Sequence, residues 1–266
     1  MRNYDPSIPL FSIHIPKAGG QSFSDVLASW FNNNRFPNLN NHPKLSKILT
    51  PLNADLFLQR FLGCGLYFHY KDHVLNKPPR KIPLGKGYGS LLSRKIPECI
   101  HGHFESYGDG KSLFEYYPKA RQFVTVLRDP LQLQISLYFY HKRLLNNGVI
   151  YWNGHKNNSL AFPCLEDWVK NRGAYMLNLF PWKITKDNFI EILKSNFVHL
   201  CVVENYQTSI DILADKLGCP TVKVPVINKS PRDEGDLLSD STINFFKEKH
   251  ELEYLIYNYA LSINQF

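Results

Sequence analysis

No apolar run in these 266 residues approaches the roughly 18 that a membrane-spanning helix needs, so no transmembrane anchor is expected. The first residues, MRNYDPSIPLF, lack the apolar core of a secretory signal. Cysteine is sparse: Cys64, Cys99, Cys164, Cys201 and Cys219 are scattered, odd in number and free of any C-x-x-C pair. That argues against a disulfide framework or a zinc knuckle and fits thiols in a reducing compartment. The expectation is a soluble, cytoplasmic protein. Internal repeats are absent, and no linker divides the chain.

Acidic charge is also short. Asp and Glu number 23 against 31 Lys and Arg, a net charge of +8, which favours an anionic partner: a phosphorylated cosubstrate, an acidic glycan, nucleic acid or a membrane surface. Nucleic acid is the weakest of these, because there is no recognition motif or basic helix. A 44% hydrophobic content is ample for a core and excludes general disorder.

The apolar run IPLFSIHI (8–15) suits a buried parallel strand. After a loop from Pro16 to Gly20, Phe23, Val26, Leu27, Trp30 and Phe31 recur at helical spacing, the stripe of a helix packed on a sheet. Between about 32 and 95 the pattern weakens, and NKPPRKIPLGKGYGSLLSRK reads as a basic surface excursion. PECIHGHF (97–104) predicts a short strand. ARQFVTVLRDP (120–130) predicts another, stopped by Asp129-Pro130, with a helix over about 131–146. A helix near 164–172 comes next, then the helix DNFIEILKSN running into the strand FVHLCVV (197–203). QTSIDILADKLG predicts a helix ended by Gly218, and one long C-terminal helix begins near Ser239. Alternating strands and helices imply an α/β fold: a single domain, 1–266, with a central, mainly parallel sheet flanked by helices.

HIPKAGGQS (14–22) is therefore a strand-to-helix turn, a P-loop-like layout. Unpaired amides and the positive dipole end at a helix N-terminus favour an anion there. Gly19 and Gly20 allow close approach, Lys17 adds a mobile charge and Ser22 a hydroxyl. A plain tight turn remains the alternative. A nucleoside-triphosphate loop would read G-x-x-x-x-G-K-[ST]. Here the lysine precedes the glycines, and no apolar strand ends in the lone aspartate that would hold Mg²⁺ indirectly, so a kinase is the secondary reading.

In TVLRDPLQLQIS, Arg128 ends a strand and Ser136 follows eight residues on, two turns into a helix. A planar guanidinium and a hydroxyl so placed suit a second phosphate; a strand-end salt bridge is the alternative. His101 and His103 share one face of an extended segment, and Gly102 between them would leave room for a substrate. A metal pair lacks further ligands at convincing spacing, and plain strand histidines are the other alternative.

Together these motifs resemble those of sulfotransferases that use 3′-phosphoadenosine-5′-phosphosulfate. HIPKAGGQS is similar to their 5′-phosphosulfate loop, and LRDPLQLQIS to their 3′-phosphate motif with the same Arg-to-Ser spacing. HGHF precedes RDP at the distance seen in the carbohydrate-modifying branch that includes heparan sulfate 2-O-sulfotransferase. By that resemblance Lys17, Ala18, Gly19, Gly20, Gln21 and Ser22 hold the 5′ end of the donor, and Arg128 and Ser136 its 3′-phosphate. His103 is the base and His101 a supporting residue. VVENYQTSIDILADKLG resembles the family's strand-glutamate-helix segment. VINKSPRDEGDLLSDSTINFF resembles its late donor-binding loop, where Lys229 and Ser230 would cap the nucleotide. Gln21 departs from the usual threonine, and the divergent stretch 32–96 is read as an acceptor-side insertion. The implied acceptor is a glycan hydroxyl, with a tyrosine or small-metabolite hydroxyl left open, and no metal is implied. Lys77, Arg80, Lys81, Lys86, Arg94 and Lys95 would line a cleft for an acidic polysaccharide or form a solvated loop. Lys142 and Arg143 would extend that surface.

Overall fold

The computed structural model describes residues 1–32, 65–69, 98–104, 113–148, 151–152, 155–156, 162, 164–225 and 238–265. In chain order the elements are β1 (Leu10–Ile13), α1 (Gly20–Asn32), β2 (Leu66–His69), β3 (Cys99–Gly102) and α2 (Leu113–Tyr116). Next come β4 (Gln122–Leu127), α3 (Pro130–Asn146), the two-residue antiparallel strands β5 (Tyr151–Trp152) and β6 (His155–Lys156), and α4 (Leu165–Asn171). A 3-10 turn (Met176–Leu179), α5 (Phe189–Asn196), β7 (Phe197–Val202), α6 (Tyr206–Leu217), α7 (Asp240–Lys249) and α8 (Glu251–Ser262) complete them.

Five strands form one sheet in the order β2-β3-β1-β4-β7, and every neighbouring pair is parallel. The expected α/β architecture is thus observed. Strand β1 lies in the middle; the chain leaves it for one edge through β2 and β3, then crosses to the other through β4 and β7. That reversal puts the carboxyl ends of β3, β1 and β4 side by side, the place where open parallel sheets bind ligands.

The strands carry apolar residues on both faces, as burial between two helix layers demands. Leu10, Val124, Val126 and Cys201 join Phe23, Leu27, Ile210 and Leu213 under α1 and α6. Phe11, Ile13, Ile100, Phe123 and Leu200 face the other way, packing on Tyr117, Leu133, Met176, Leu193 and Ile256. Side chains as large as Phe123 and Phe197 are fully buried, and truncating one to Ala would cost about 3–5 kcal/mol. A third cluster, Leu131, Tyr138, Trp168 and Phe246, locks α3 against α4 and α7.

Gly218 ends α6 as expected, at φ 66°. The long C-terminal helix is instead two helices. At His250 the backbone departs from helical geometry (φ −116°, ψ 34°), and its ring turns inward to accept a hydrogen bond from the Ala174 amide at 3.2 Å. Strand β2 falls in the stretch where the sequence pattern weakens; with only four residues it offers too short a run to read. No helix among the described residues is long and apolar enough to cross a membrane.

Candidate active site

The loop between β1 and α1 is shaped by residues far away in sequence. Lys17 adopts φ 68° and Gly19 φ 70°; the first costs a side-chain-bearing residue about 1 kcal/mol or more. Three loop carbonyls are each engaged from a different element. Tyr175 Oη donates to Pro16 O at 2.8 Å, Arg128 Nη1 to Lys17 O at 3.0 Å and Tyr206 Oη to Gly19 O at 2.8 Å. These bonds hold the turn at the start of α1, where Gly19 O also accepts the Phe23 amide at 3.1 Å as the first bond of the helix.

Both glycines are required by contact. A Cβ on Gly19 would lie 2.9 Å from Tyr206 Cε1, and one on Gly20 would lie 1.9 Å from His14 Nε2. Ala18 and Ser22 are buried, while Gln21 is exposed at the first turn of α1.

Lys17 Nζ sits 4.3 Å from the centre of the Tyr140 ring on α3, and the Arg143 guanidinium stands 5.9 Å from the same ring. Burial, and then the charges of Arg143 and Arg128, hold the Lys17 ammonium below its ordinary pKa. An anion placed there would reverse that shift. Ser136 precedes Tyr140 by four residues and so shares its helix face.

Arg-Asp-Pro divides its labour. Arg128 reaches the loop, Asp129 caps α3 by accepting the Gln132 amide at 2.9 Å, and Pro130 opens the helix. The Asp129 amide in turn donates to Glu204 Oε1 at 3.1 Å, just past β7.

The histidines form a stack. The His14 ring lies 4.4 Å from that of His103 and 5.2 Å from that of His101, inclined at 29° and 19°. His101 is fully buried beneath α1. Its tautomer follows from its partners. Ser24 Oγ spends its one proton on Gly20 O at 2.8 Å, so at 3.0 Å it must accept from His101 Nε2–H. Nδ1 is then bare and accepts from Ser12 Oγ at 2.8 Å. Desolvation pushes His101 down to about 3 and His14 well below the usual imidazole range, so both are neutral near pH 7.

His103 is partly exposed at the end of β3, and its amide donates to His69 O at 3.2 Å. Gly102 corrects an expectation. A Cβ there would fall 2.0 Å from His69 O, so the space beside it is filled by the backbone of β2 rather than left for a substrate.

Lys17, Gly19, Gly20 and Arg128 are thus brought together, and His103 ends the strand on the other side of β1. His101 lies inside, where it can act only through its neighbours. Lys229, Ser230 and the basic stretch from Lys77 to Lys95 lie outside the described residues. Tyr140 was read from sequence only among aromatics for stacking a sugar, and it lies instead against the Lys17 ammonium. His14, Tyr175 and Tyr206 were not singled out; His14 stands within HIPKAGGQS and Tyr206 within VVENYQTSIDILADKLG, and nothing in the spacing of the tyrosines marks them. Among the described residues no cluster of three or more His, Cys, Asp or Glu could hold a metal.

No family model and no curated protein matches the chain. Among solved structures, a sulfotransferase from Alicyclobacillus acidocaldarius superposes with a TM-score of 0.41 at 16% identity, over 94% of this chain and 96% of that one.

Proposed function

We propose that this chain transfers a sulfuryl group from 3′-phosphoadenosine-5′-phosphosulfate to an acceptor hydroxyl on a glycan. One observation carries the reading: the Arg128 guanidinium is hydrogen-bonded to the Lys17 carbonyl across 111 residues. Two sequence segments, each suited to one phosphate, therefore meet at the carboxyl ends of adjacent strands, and the donor carries phosphates at both of its ends.

The roles follow from chemistry. The amides of the α1 N-terminus and Lys17 hold the 5′-phosphosulfate, and Arg128 with Ser136 holds the 3′-phosphate. His103 takes the proton of the acceptor hydroxyl as its oxygen attacks sulfur; a base so placed is worth about 10²- to 10⁴-fold. The bond from sulfur to the 5′-phosphate oxygen breaks, leaving negative charge on that oxygen. Lys17 and the helix amides face this charge, so they favour the transition state over the ground state. The net charge of +8 supports an acidic glycan as the acceptor.

Thermal-shift binding tests the donor assignment. 3′-Phosphoadenosine-5′-phosphate should stabilise the protein at concentrations where ATP and AMP do not, and sulfuryl transfer should survive a chelator. Equal stabilisation by ATP would sink the reading.

A further inference from the structure

His14 has no part in the scheme above, yet it touches both halves of the site. It follows β1 directly, and its amide donates to Gly102 O at 2.9 Å, which fixes its backbone against β3. Its ring fills the gap between two other imidazoles, 4.4 Å from His103 and 5.2 Å from His101. The edge of that ring presses on Gly20, the first residue of α1, so closely that no side chain fits there.

The floor beneath it is fixed as well. His101 is bonded on one nitrogen to Ser12 of β1 and on the other to Ser24 of α1, and Ser24 is bonded back to Gly20. His14 therefore rests on a rigid surface made by β1, β3 and α1, with its outer face left to His103. A ring stacked on a partly exposed imidazole at a strand end narrows the orientations it can adopt.

We propose that His14 is a positioning residue, a stacking plate that holds the His103 ring in one orientation and ties that orientation to the start of α1. That side chain then links the group that takes the proton to the start of the helix that holds the anion. Turnover is sensitive to the distance between them, since a displacement of about 1 Å at a reacting group can cost about 100-fold. The inference rests on the sulfotransfer reading only for the assignment of His103 as base; the stack itself is independent of it.

The test compares His14→Phe, which keeps a flat ring, with His14→Leu, which keeps bulk and loses the ring. Three quantities are read: the ring-proton resonances of His103, the affinity for 3′-phosphoadenosine-5′-phosphate, and kcat. In the wild type the His103 ring protons should be displaced upfield by the stacked ring and show cross-relaxation with those of His14. His14→Leu should lose that displacement and slow kcat about 10- to 100-fold, with nucleotide affinity within about threefold. His14→Phe should retain the displacement and recover most of the rate. A merely structural role would lower stability in both variants without separating kcat from affinity or Phe from Leu.

The proposal is overturned if Phe is as slow as Leu, or if Leu leaves the His103 resonances where they were. Should either variant fail to fold, the wild-type cross-relaxation decides, and its absence overturns the stack. A wild type that shows the stacked resonances but transfers no sulfuryl group would instead count against the proposed function.

Discussion

Arg128 donates from Nη1 to the main-chain carbonyl of Lys17 at 3.0 Å, so the guanidinium is a structural part of the loop as well as a candidate ligand for phosphate. Arg128→Ala should therefore weaken binding of 3′-phosphoadenosine-5′-phosphate by at least about tenfold and also lower kcat, because the loop loses a partner. Arg128→Lys should not restore binding, since one ammonium cannot serve a carbonyl and a phosphate together in the geometry of a planar fork. Calorimetric titration checks both; wild-type affinity in Arg128→Ala would remove the 3′-phosphate assignment.

Lys17 is expected to separate turnover from affinity. Its ammonium rests on the Tyr140 ring, and its backbone belongs to the loop that leads into α1, where the leaving oxygen would gain charge. Lys17→Ala should lower kcat about 10²- to 10³-fold while nucleotide affinity changes by less than about tenfold. Tyr140→Phe should be nearly silent and Tyr140→Leu should not, because the ring face rather than the hydroxyl meets the ammonium. Steady-state kinetics beside equilibrium binding reads the split.

Tyr206 braces Gly19 by its hydroxyl and by the edge of its ring. Tyr206→Phe removes one hydrogen bond and should cost about 0.5–1.5 kcal/mol. Gly19→Ala meets both a left-handed φ and the ring, and should cost more, about 1–3 kcal/mol. Denaturant titrations of the two variants give the order, and the reverse order would contradict the loop geometry.

Stability should fall on the acid side. His101 is buried and His14 half-buried, both desolvated and neutral, and His199, desolvated and close to Lys216, is held down at about 4. In the unfolded chain such imidazoles protonate near 6.5. Between that value and their depressed folded values the unfolded state binds more protons, so stability is complete above about pH 6.5 and drains away as the pH falls. Each such group contributes a slope of roughly 1.4 kcal/mol per pH unit. Thermal melts between pH 7 and pH 4.5 should show Tm falling steadily, and a flat profile would mean that these rings are hydrated.

An acidic acceptor has a separate signature. Activity should drop as salt rises between roughly 0.05 and 0.2 M, as screening shortens the reach of the basic surface. Insensitivity over that range would argue for a neutral acceptor.

The parts of the fold legible in the sequence are those with a sustained period. The stripe Phe23, Val26, Leu27, Trp30 and the run from Phe123 to Leu127 become α1 and β4, and Gly218 ends its helix because only its φ fits there. Leu66–His69 was not legible, since four residues make too short a pattern and the partner that stabilises them, β3, lies about thirty positions away. The C-terminal break at His250 escaped for a related reason: the cause is a tertiary hydrogen bond to Ala174, and local propensity carries no trace of it. At the site, Lys17, Gly19, Gly20 and Arg128 could be read because backbone approach and charge demand particular residue types. His14 could not, because a stacking histidine and a strand-end histidine look alike until the neighbouring strand is in place.

The carbonyls of Pro16, Lys17 and Gly19 are gripped by Tyr175, Arg128 and Tyr206, one from each of three separate regions of the chain. The nonapeptide HIPKAGGQS is consequently not a portable module. Grafted alone onto another strand and helix it would carry the charges and lose the curve, because the instructions for that curve are written at positions 128, 175 and 206. Drift at those three sites could silence the loop while leaving every letter of it intact.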